Sequence, residues 1–242
     1  MTRSGASIEA ILDEQIRRWA LLSRARREGK QLPELAITLS RLPGCAGREI
    51  AVELARRLKF DLFDKEILQQ VAESTHLSES VVKTLDEKVM PAMEEWVTSL
   101  FLQRYLSEDY FRHLSRVLLA IGKHGHAVIL GRGAGFILPS RECLRVLLVA
   151  PQDVRVRSLA YRMKMPLEDA KRQIIHVESD RRAFIRRHFH TDMTDATHYD
   201  IVINTQDLGS EGTLEAVRLA WETKKKVLAA GQPPWMSEAA VG

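Results

Sequence analysis

The sequence predicts an α/β fold, with a parallel sheet of about five strands covered by helices on both faces. Three observations carry that reading. Short apolar runs recur along the chain, at 35–39, 127–130, 144–150 and 200–204, and most are rich in β-branched residues or leucine. Near-continuous runs of this kind suit strands buried on both faces. Stretches with helical spacing of apolar side chains separate the runs, which implies crossover connections rather than hairpins. The chain has 242 residues, 45% hydrophobic and 28% charged, an ordinary globular balance and enough chain for one medium domain with an appendage.

Taken in order, residues 7–22 place Ile8, Ile11, Leu12, Ile16, Trp19 and Leu22 on one helical face, with Ser7 positioned to cap. The charged stretch 24–33, with Gly29, reads as a helix tail and linker. Residues 1–34 therefore form an N-terminal appendage that either packs on the core or meets a partner, a second copy of the chain included. Leu35–Leu39 is the first strand, followed by the turn Pro43-Gly44-Cys45-Ala46-Gly47. A helix then sets Ile50, Ala51, Leu54, Ala55 and Leu58 on one side. Phe60–Phe63 is a brief strand, and helical segments follow at about 65–73, 78–88 and 91–122. Ala127–Leu130 and Leu144–Ala150 are strands, Gln152–Met163 and Leu167–Arg187 helices. Asp200–Asn204 is the last strand and Glu211–Leu228 the closing helix. Residues 35–230 make one domain, and 231–242, with Pro233-Pro234, a loose tail.

Several function classes are set aside by composition. Cys45 and Cys143 show neither CxxC nor metal-ligand spacing, which suits a reducing, cytoplasmic compartment. No uncharged apolar run approaches the ~20 residues of a membrane span, and Glu9, Asp13 and Glu14 stand where a signal peptide needs an apolar core. The formal charge of +4 comes from 36 basic and 32 acidic side chains, but it is concentrated: 155–190 holds ten Lys or Arg against Glu168, Asp169, Glu178 and Asp180. Such a field suits phosphate-bearing partners. The alternative is a solvated helix with i,i+4 pairs such as Glu168 with Arg172. A nucleic-acid partner is not expected, because the stretch offers only Tyr161, Phe184 and Phe189 for stacking. Lys224-Lys225-Lys226 complements a helix C-terminus. His188, His190, Asp192 and His198 match no metal spacing and read as surface histidines of a loop. Leu100, Phe101, Tyr105, Tyr110, Phe111 and Leu114 read as packing rather than a base-stacking surface.

In a parallel sheet, ligands bind beyond the carboxyl ends of the strands. The turn Ser40-Arg41-Leu42-Pro43-Gly44-Cys45-Ala46-Gly47-Arg48-Glu49-Ile50 lies at such a point. Its glycines let backbone N–H groups turn inward, and the next helix adds its positive end, a combination that cradles phosphate. Against the pattern GxxxxGK[ST], Gly47 falls on the second glycine. Leu42, Arg48 and Glu49 replace the first glycine, the lysine and the hydroxyl residue. By spacing alone, a plain strand-to-helix turn remains open.

Four pieces in order resolve this turn: the 40–51 loop (Ser-Arg-x-Pro-Gly-x-x-Gly-Arg-Glu-Ile-Ala), Phe60-Asp61-Leu62-Phe63-Asp64, Gly131-Arg132, and Tyr199-Asp200 with Asn204. Over about residues 36–220 the chain resembles the cytidylate kinase-like family, and Gln15, Arg17, Arg18 and Trp19 resemble an N-terminal extension of some members. The resemblance implies a P-loop kinase-type sheet with two helical insertions, an acceptor-binding segment at 65–122 and a lid at 166–192. It implies ATP and Mg²⁺ as cofactors and phosphoryl transfer to a nucleoside monophosphate, CMP or dCMP first. Pro43, Gly44, Cys45, Ala46, Gly47, Arg48 and Glu49 would hold ATP, with Arg48 in place of the lysine. Arg41, Asp64, Arg132 and Asp180 would serve the acceptor. Arg181, Arg182 and Arg186 would close over the phosphates with Arg48, although 182 and 186 share a helix face and 181 sits off it. Ser40 would reach the metal in place of the hydroxyl lost at Glu49. Gly133 stands where cytidylate kinase has an aspartate, which implies relaxed base selectivity. Two alternatives stay open: a nucleotide-binding regulatory module without turnover, and a kinase with a non-nucleotide acceptor.

Overall fold

The structure is a computed structural model that describes residues 14–19, 21, 34–85, 89–102 and 109–231. Five strands form one sheet: β1 (Ala36–Arg41), β2 (Asp61–Phe63), β3 (Ala127–Leu130), β4 (Cys143–Val149) and β5 (Ile201–Asn204). Their order is β2-β3-β1-β4-β5, and every pair is parallel. β1 is the hub, with Ile37 paired to Val128 on one side and to Leu144 on the other. All four residues of β3 are buried, as the apolar run Ala-Val-Ile-Leu requires of a strand covered on both faces.

The helices are α1 (helical residues 14–19), α2 (Gly47–Leu58), α3 (Lys65–Glu73), α4 (Thr75–Val82), α5 (Met90–Leu102), α6 (Asp109–His124), α7 (Ala134–Ile137), α8 (Gln152–Met163), α9 (Leu167–Phe189) and α10 (Thr205–Ala229). α2 and α10 pack together on one face of the sheet, while α6 and α7 cover the other. α3 to α6 are inserted between β2 and β3, and α8 and α9 lead from β4 to β5. The connection after β1 and the connection after β3 therefore leave on opposite faces. That divergence opens a crevice at the carboxyl ends of two neighbouring strands.

Where expectation and structure differ, local chemistry explains it. The helical run expected at 78–88 starts earlier, because the Ser74 hydroxyl caps α4 by accepting from the Leu77 N–H at 3.3 Å. The run expected at 91–122 is two helices, α5 and α6. The closing helix starts at Thr205, where Asn204 accepts from the Gln206 N–H at 3.1 Å, and Gly209 (φ 59°, ψ −170°) kinks it before the expected start. His188 is not a surface histidine. It lies one turn beyond Phe184, is 3% exposed and stacks on the buried Phe111 at 4.5 Å.

The described part of the N-terminal appendage packs on the core. Trp19 is buried and stacks on His124 at 4.6 Å, and Arg18 reaches Asp61 at 2.9 Å. Ile8, Ile11, Leu12 and Leu22 lie outside the described residues, as do Tyr105 and 232–242. Among the described residues no helix is long and apolar enough to cross a membrane.

Candidate active site

Between β1 and α2 the chain turns through Gly44 (φ 95°) and Ala46 (φ 50°), two left-handed residues two apart. A Cβ on Gly44 would lie 2.6 Å from the Arg155 carbonyl oxygen, so glycine is needed there for space as well as for conformation. Ala46 is the N-cap of α2 and supplies no side-chain cap. The first N–H groups of a helix have no partner within it, and a helix start without a side-chain cap suits an anion. α2 brings its positive end to this loop, and Glu49 in the first turn is drawn off by Arg162 at 2.6 Å.

The loop rests on one buried side chain. Arg155, on α8, donates Nε to the Ala150 carbonyl at 2.9 Å and Nη1 to the Pro43 carbonyl at 3.2 Å. The same guanidinium pairs with Glu178 on α9 at 2.8 Å. Glu178 in turn holds Arg182 at 3.1 Å, and Arg182 holds Asp192 at 2.7 Å.

Beside the loop, over the ends of β1 and β3, lies a cavity of about 370 Å³. Ser40, Arg41, Lys65, Arg132, Asp180 and Arg181 line it together with Leu130, Phe136, Val177, Phe184, Ile185, Met193 and Tyr199. Arg132 is left-handed (φ 54°) between Gly131 (φ 82°) and Gly133 (φ 69°), a strained run at a residue that lines the cavity. Its Nη2 donates to Gln69 at 2.5 Å, while its buried Nε has no protein partner. Arg181 Nη1 donates to the Arg41 carbonyl at 2.9 Å. Burial, with the charge of Arg181 next, pushes Arg41 down to about 9; Asp64 works against this, and Arg132 adds to it. Like charges gathered in a partly desolvated cavity are the electrostatic form of a polyanion site.

The structure thus brings Ser40, Arg41, Arg132, Asp180 and Arg181 to one cavity and leaves other candidates elsewhere. Arg48 lies 3.1 Å from Asp64 and 3.8 Å from Glu66, so it bridges the loop to the start of α3. Asp64 is buried and caps α3, accepting from the Glu66 and Ile67 N–H groups at 3.2 and 3.3 Å. Arg182 and Arg186 share Asp192, as their common helix face requires, and Arg181 alone turns into the cavity. Pro43 to Gly47 form the neighbouring loop rather than the cavity wall. The basic excess is largely neutralised in place: Arg157 by Asp153, Arg162 by Glu49, Arg172 by Asp169.

Neither cysteine is a nucleophile. Burial pushes the Cys45 thiol up to about 11 and the Cys143 thiol up to about 12. No group of three or more His, Cys, Asp or Glu able to hold a metal occurs among the described residues. Glu49 is paired with Arg162, and the Ser40 side chain is hydrogen-bonded to Tyr199. These side chains do not fit a protein-held Mg²⁺. The uncapped α2 start does fit phosphate.

Arg155, Glu178, Phe136 and Lys65 were not singled out by sequence. For Arg155 a signal exists: it stands four residues before Leu159 on the apolar stripe of α8, where a lone cation needs a buried partner. The others are assembled by tertiary contact alone.

The family model described as "Cytidylate kinase-like family" matches residues 36–207. A cytidylate kinase of Pyrococcus horikoshii is 30% identical over 131 residues, covering 53% of this chain and 68% of that protein. A cytidylate kinase of Thermococcus kodakarensis is 26% identical over 189 residues, covering 77% and 87%. The crystal structure of an uncharacterized protein from Eubacterium ventriosum superposes with a TM-score of 0.63 at 17% identity, covering 78% of this chain and 99% of that one, a likeness of fold.

Proposed function

The chain belongs to the cytidylate kinase-like family, and we propose that it transfers the γ-phosphoryl group of ATP to a nucleoside monophosphate, with CMP and dCMP the first candidates. One observation carries the reading: Arg41, Arg132 and Arg181 converge on a cavity immediately beside an uncapped helix start. Two phosphate-bearing groups that repel each other need this kind of preorganised positive field between them.

Bound ATP would supply the transferable phosphoryl group and carry Mg²⁺ with it. The 43–48 backbone would hold its phosphates, with Arg48 swinging between them and Asp64. Arg132 and Arg41 would hold the acceptor phosphate, and Arg181 would neutralise charge between the two. No general base is needed, because the attacking oxygen already belongs to a phosphate; position and charge carry the rate. Residues 65–122 would cradle the acceptor and 166–192 would close over it.

A second reading is favoured by one specific feature. Arg48 and Glu49, at the positions where the phosphate-loop pattern has lysine and a hydroxyl, are both engaged in ion pairs with other elements. A nucleotide-binding module without turnover would tolerate this. Coupled ADP-release assays with CMP, dCMP, UMP, AMP and a non-nucleotide alcohol separate the readings. ADP release dependent on CMP or dCMP is the expected result. ATP binding with no release for any acceptor transfers the function to the regulatory module.

A further inference from the structure

Resting on the kinase reading above, we propose that Gln69 is a positioning residue for Arg132. It holds the acceptor-side guanidinium with a neutral oxygen, and so orients the cation without cancelling the charge a phosphate needs. The arginines around the site are held in two different ways. Those outside the cavity are paired with carboxylates: Arg48 with Asp64, Arg155 with Glu178, Arg162 with Glu49 and Arg182 with Asp192. The three that line it, Arg41, Arg132 and Arg181, are in no ion pair among the described residues. Arg181 donates to a backbone carbonyl at 2.9 Å and Arg132 to the Gln69 side-chain oxygen at 2.5 Å. Asp180, which also lines the cavity, lies 3.6 Å from His176.

Glu73 decides which end of the Gln69 amide meets Arg132. Gln69 and Glu73 stand four residues apart on α3, and Gln69 Nε2 donates to Glu73 Oε1 at 2.8 Å. An ionised carboxylate only accepts, so the amide turns its NH₂ to Glu73 and its carbonyl to the guanidinium. Glu73 thus orients the amide from behind, with its own charge one side chain away from Arg132. Gln69 is not in the cavity wall, so its effect on a ligand there runs through Arg132.

The neutrality of this holder has a chemical consequence. The Arg132 backbone is fixed by its left-handed turn, its buried Nε has no protein partner, and the Gln69 carbonyl is the side-chain partner of its head group. A carboxylate in the same place would pair with the guanidinium before any phosphate arrived. Hydrogen bonds between ionised groups are roughly twice as strong as neutral ones, so an incoming phosphate would have to displace a strong partner instead of a weak one. An amide fixes the direction of the cation and leaves its charge to the ligand.

The test exchanges the two side chains. Gln69→Glu combined with Glu73→Gln keeps the net charge and the hydrogen bond between the two positions, and turns a carboxylate toward Arg132. If Gln69 were only a brace, this variant would serve as well or better, because the brace becomes an ion pair. With the role proposed, CMP affinity in equilibrium binding should fall roughly ten- to hundredfold and KM for CMP should rise in step. ATP affinity and the urea midpoint should not change. Gln69→Glu alone should lose CMP affinity in the same direction. Gln69→Leu, which releases the head group without opposing its charge, should lose less. Native-like CMP affinity in the exchanged variant, or a greater loss in Gln69→Leu than in Gln69→Glu, overturns the inference and leaves the kinase reading standing. CMP binding without turnover in the native protein, weakened by the exchange, keeps the inference and removes the kinase reading. Absence of both CMP binding and turnover in the native protein removes both.

Discussion

Arg132 shows how much one residue's backbone can carry. It is held in a conformation that L residues avoid, between two glycines that share it, and its guanidinium has one partner and one buried nitrogen without any. Strain of this kind costs about 1–3 kcal/mol and persists only where the surroundings impose it. Arg132→Ala removes the charge and keeps the turn. A charged hydrogen bond to a phosphate is worth about 1.5–3 kcal/mol, so kcat/KM for any accepted monophosphate should fall roughly ten- to hundredfold. ATP affinity, measured separately, should stay nearly constant; a parallel loss of ATP binding would place Arg132 on the donor side. This residue was legible in sequence, because an arginine between two glycines after an apolar strand has few structural uses. Arg48 was legible only as a position. Its pairing with Asp64 depends on the three-residue strand β2 bringing Asp64 alongside the loop, and no spacing rule reports that.

At the scale of elements, the sequence located all five strands, because buried parallel strands announce themselves as apolar runs. It mistook the starts of α4 and α10, where single capping side chains, Ser74 and Asn204, override the hydrophobic periodicity. α9 is the element with most at stake. Its 23 residues span about 34 Å at 1.5 Å per residue, and only Ala170, Ile174, Ile185, His188 and Phe189 are buried. Its far end is fixed by Asp192, which accepts from the Thr194 hydroxyl and N–H at 2.6 and 2.8 Å and pairs with Arg182. Those Thr194 bonds, with Arg182 behind them, hold the Asp192 carboxyl down to about 2, against about 3.9 in an unfolded chain. A depressed carboxyl stabilises the fold above its unfolded pKa and loses that effect as pH falls through the folded value. The gap in urea midpoint between the native protein and Asp192→Asn should therefore be full at about pH 6, narrow below about pH 4 and be nearly closed at about pH 2. A gap independent of pH would show that Asp192 acts through shape alone.

For the whole molecule, the question is what joins the loop after β1 to α9, between β4 and β5. The sequence gives their order but not their contact, because the link is one buried arginine among the ten basic residues of 155–190. Arg155 ties the end of β4, the loop and α9 to one guanidinium, and Glu178 passes the tie to Arg182 and Asp192. Its side chain is 7% exposed and that of Glu178 19%, so removing Glu178 leaves the Arg155 charge poorly hydrated with only carbonyl partners, while removing Arg155 leaves Glu178 paired with Arg182. Breaking a buried pair from one side costs about 3–5 kcal/mol where the remaining charge has no other partner, and less where, as here, other partners remain. Arg155→Met and Glu178→Gln should each destabilise the fold, and the double variant by less than their sum, with a coupling of about 1–3 kcal/mol. Stability alone would not show that the tie transmits anything. Hydrogen exchange does: if loop and helix are one unit, ATP bound at 43–48 should protect the amides of α9 around 178–189 in the native protein. In a folded Glu178→Gln variant the loop should still be protected by ATP while α9 is not. Equal protection of α9 in both proteins would reduce the Arg155–Glu178 pair to a structural brace, with α9 answering to the phosphates through Arg181 alone.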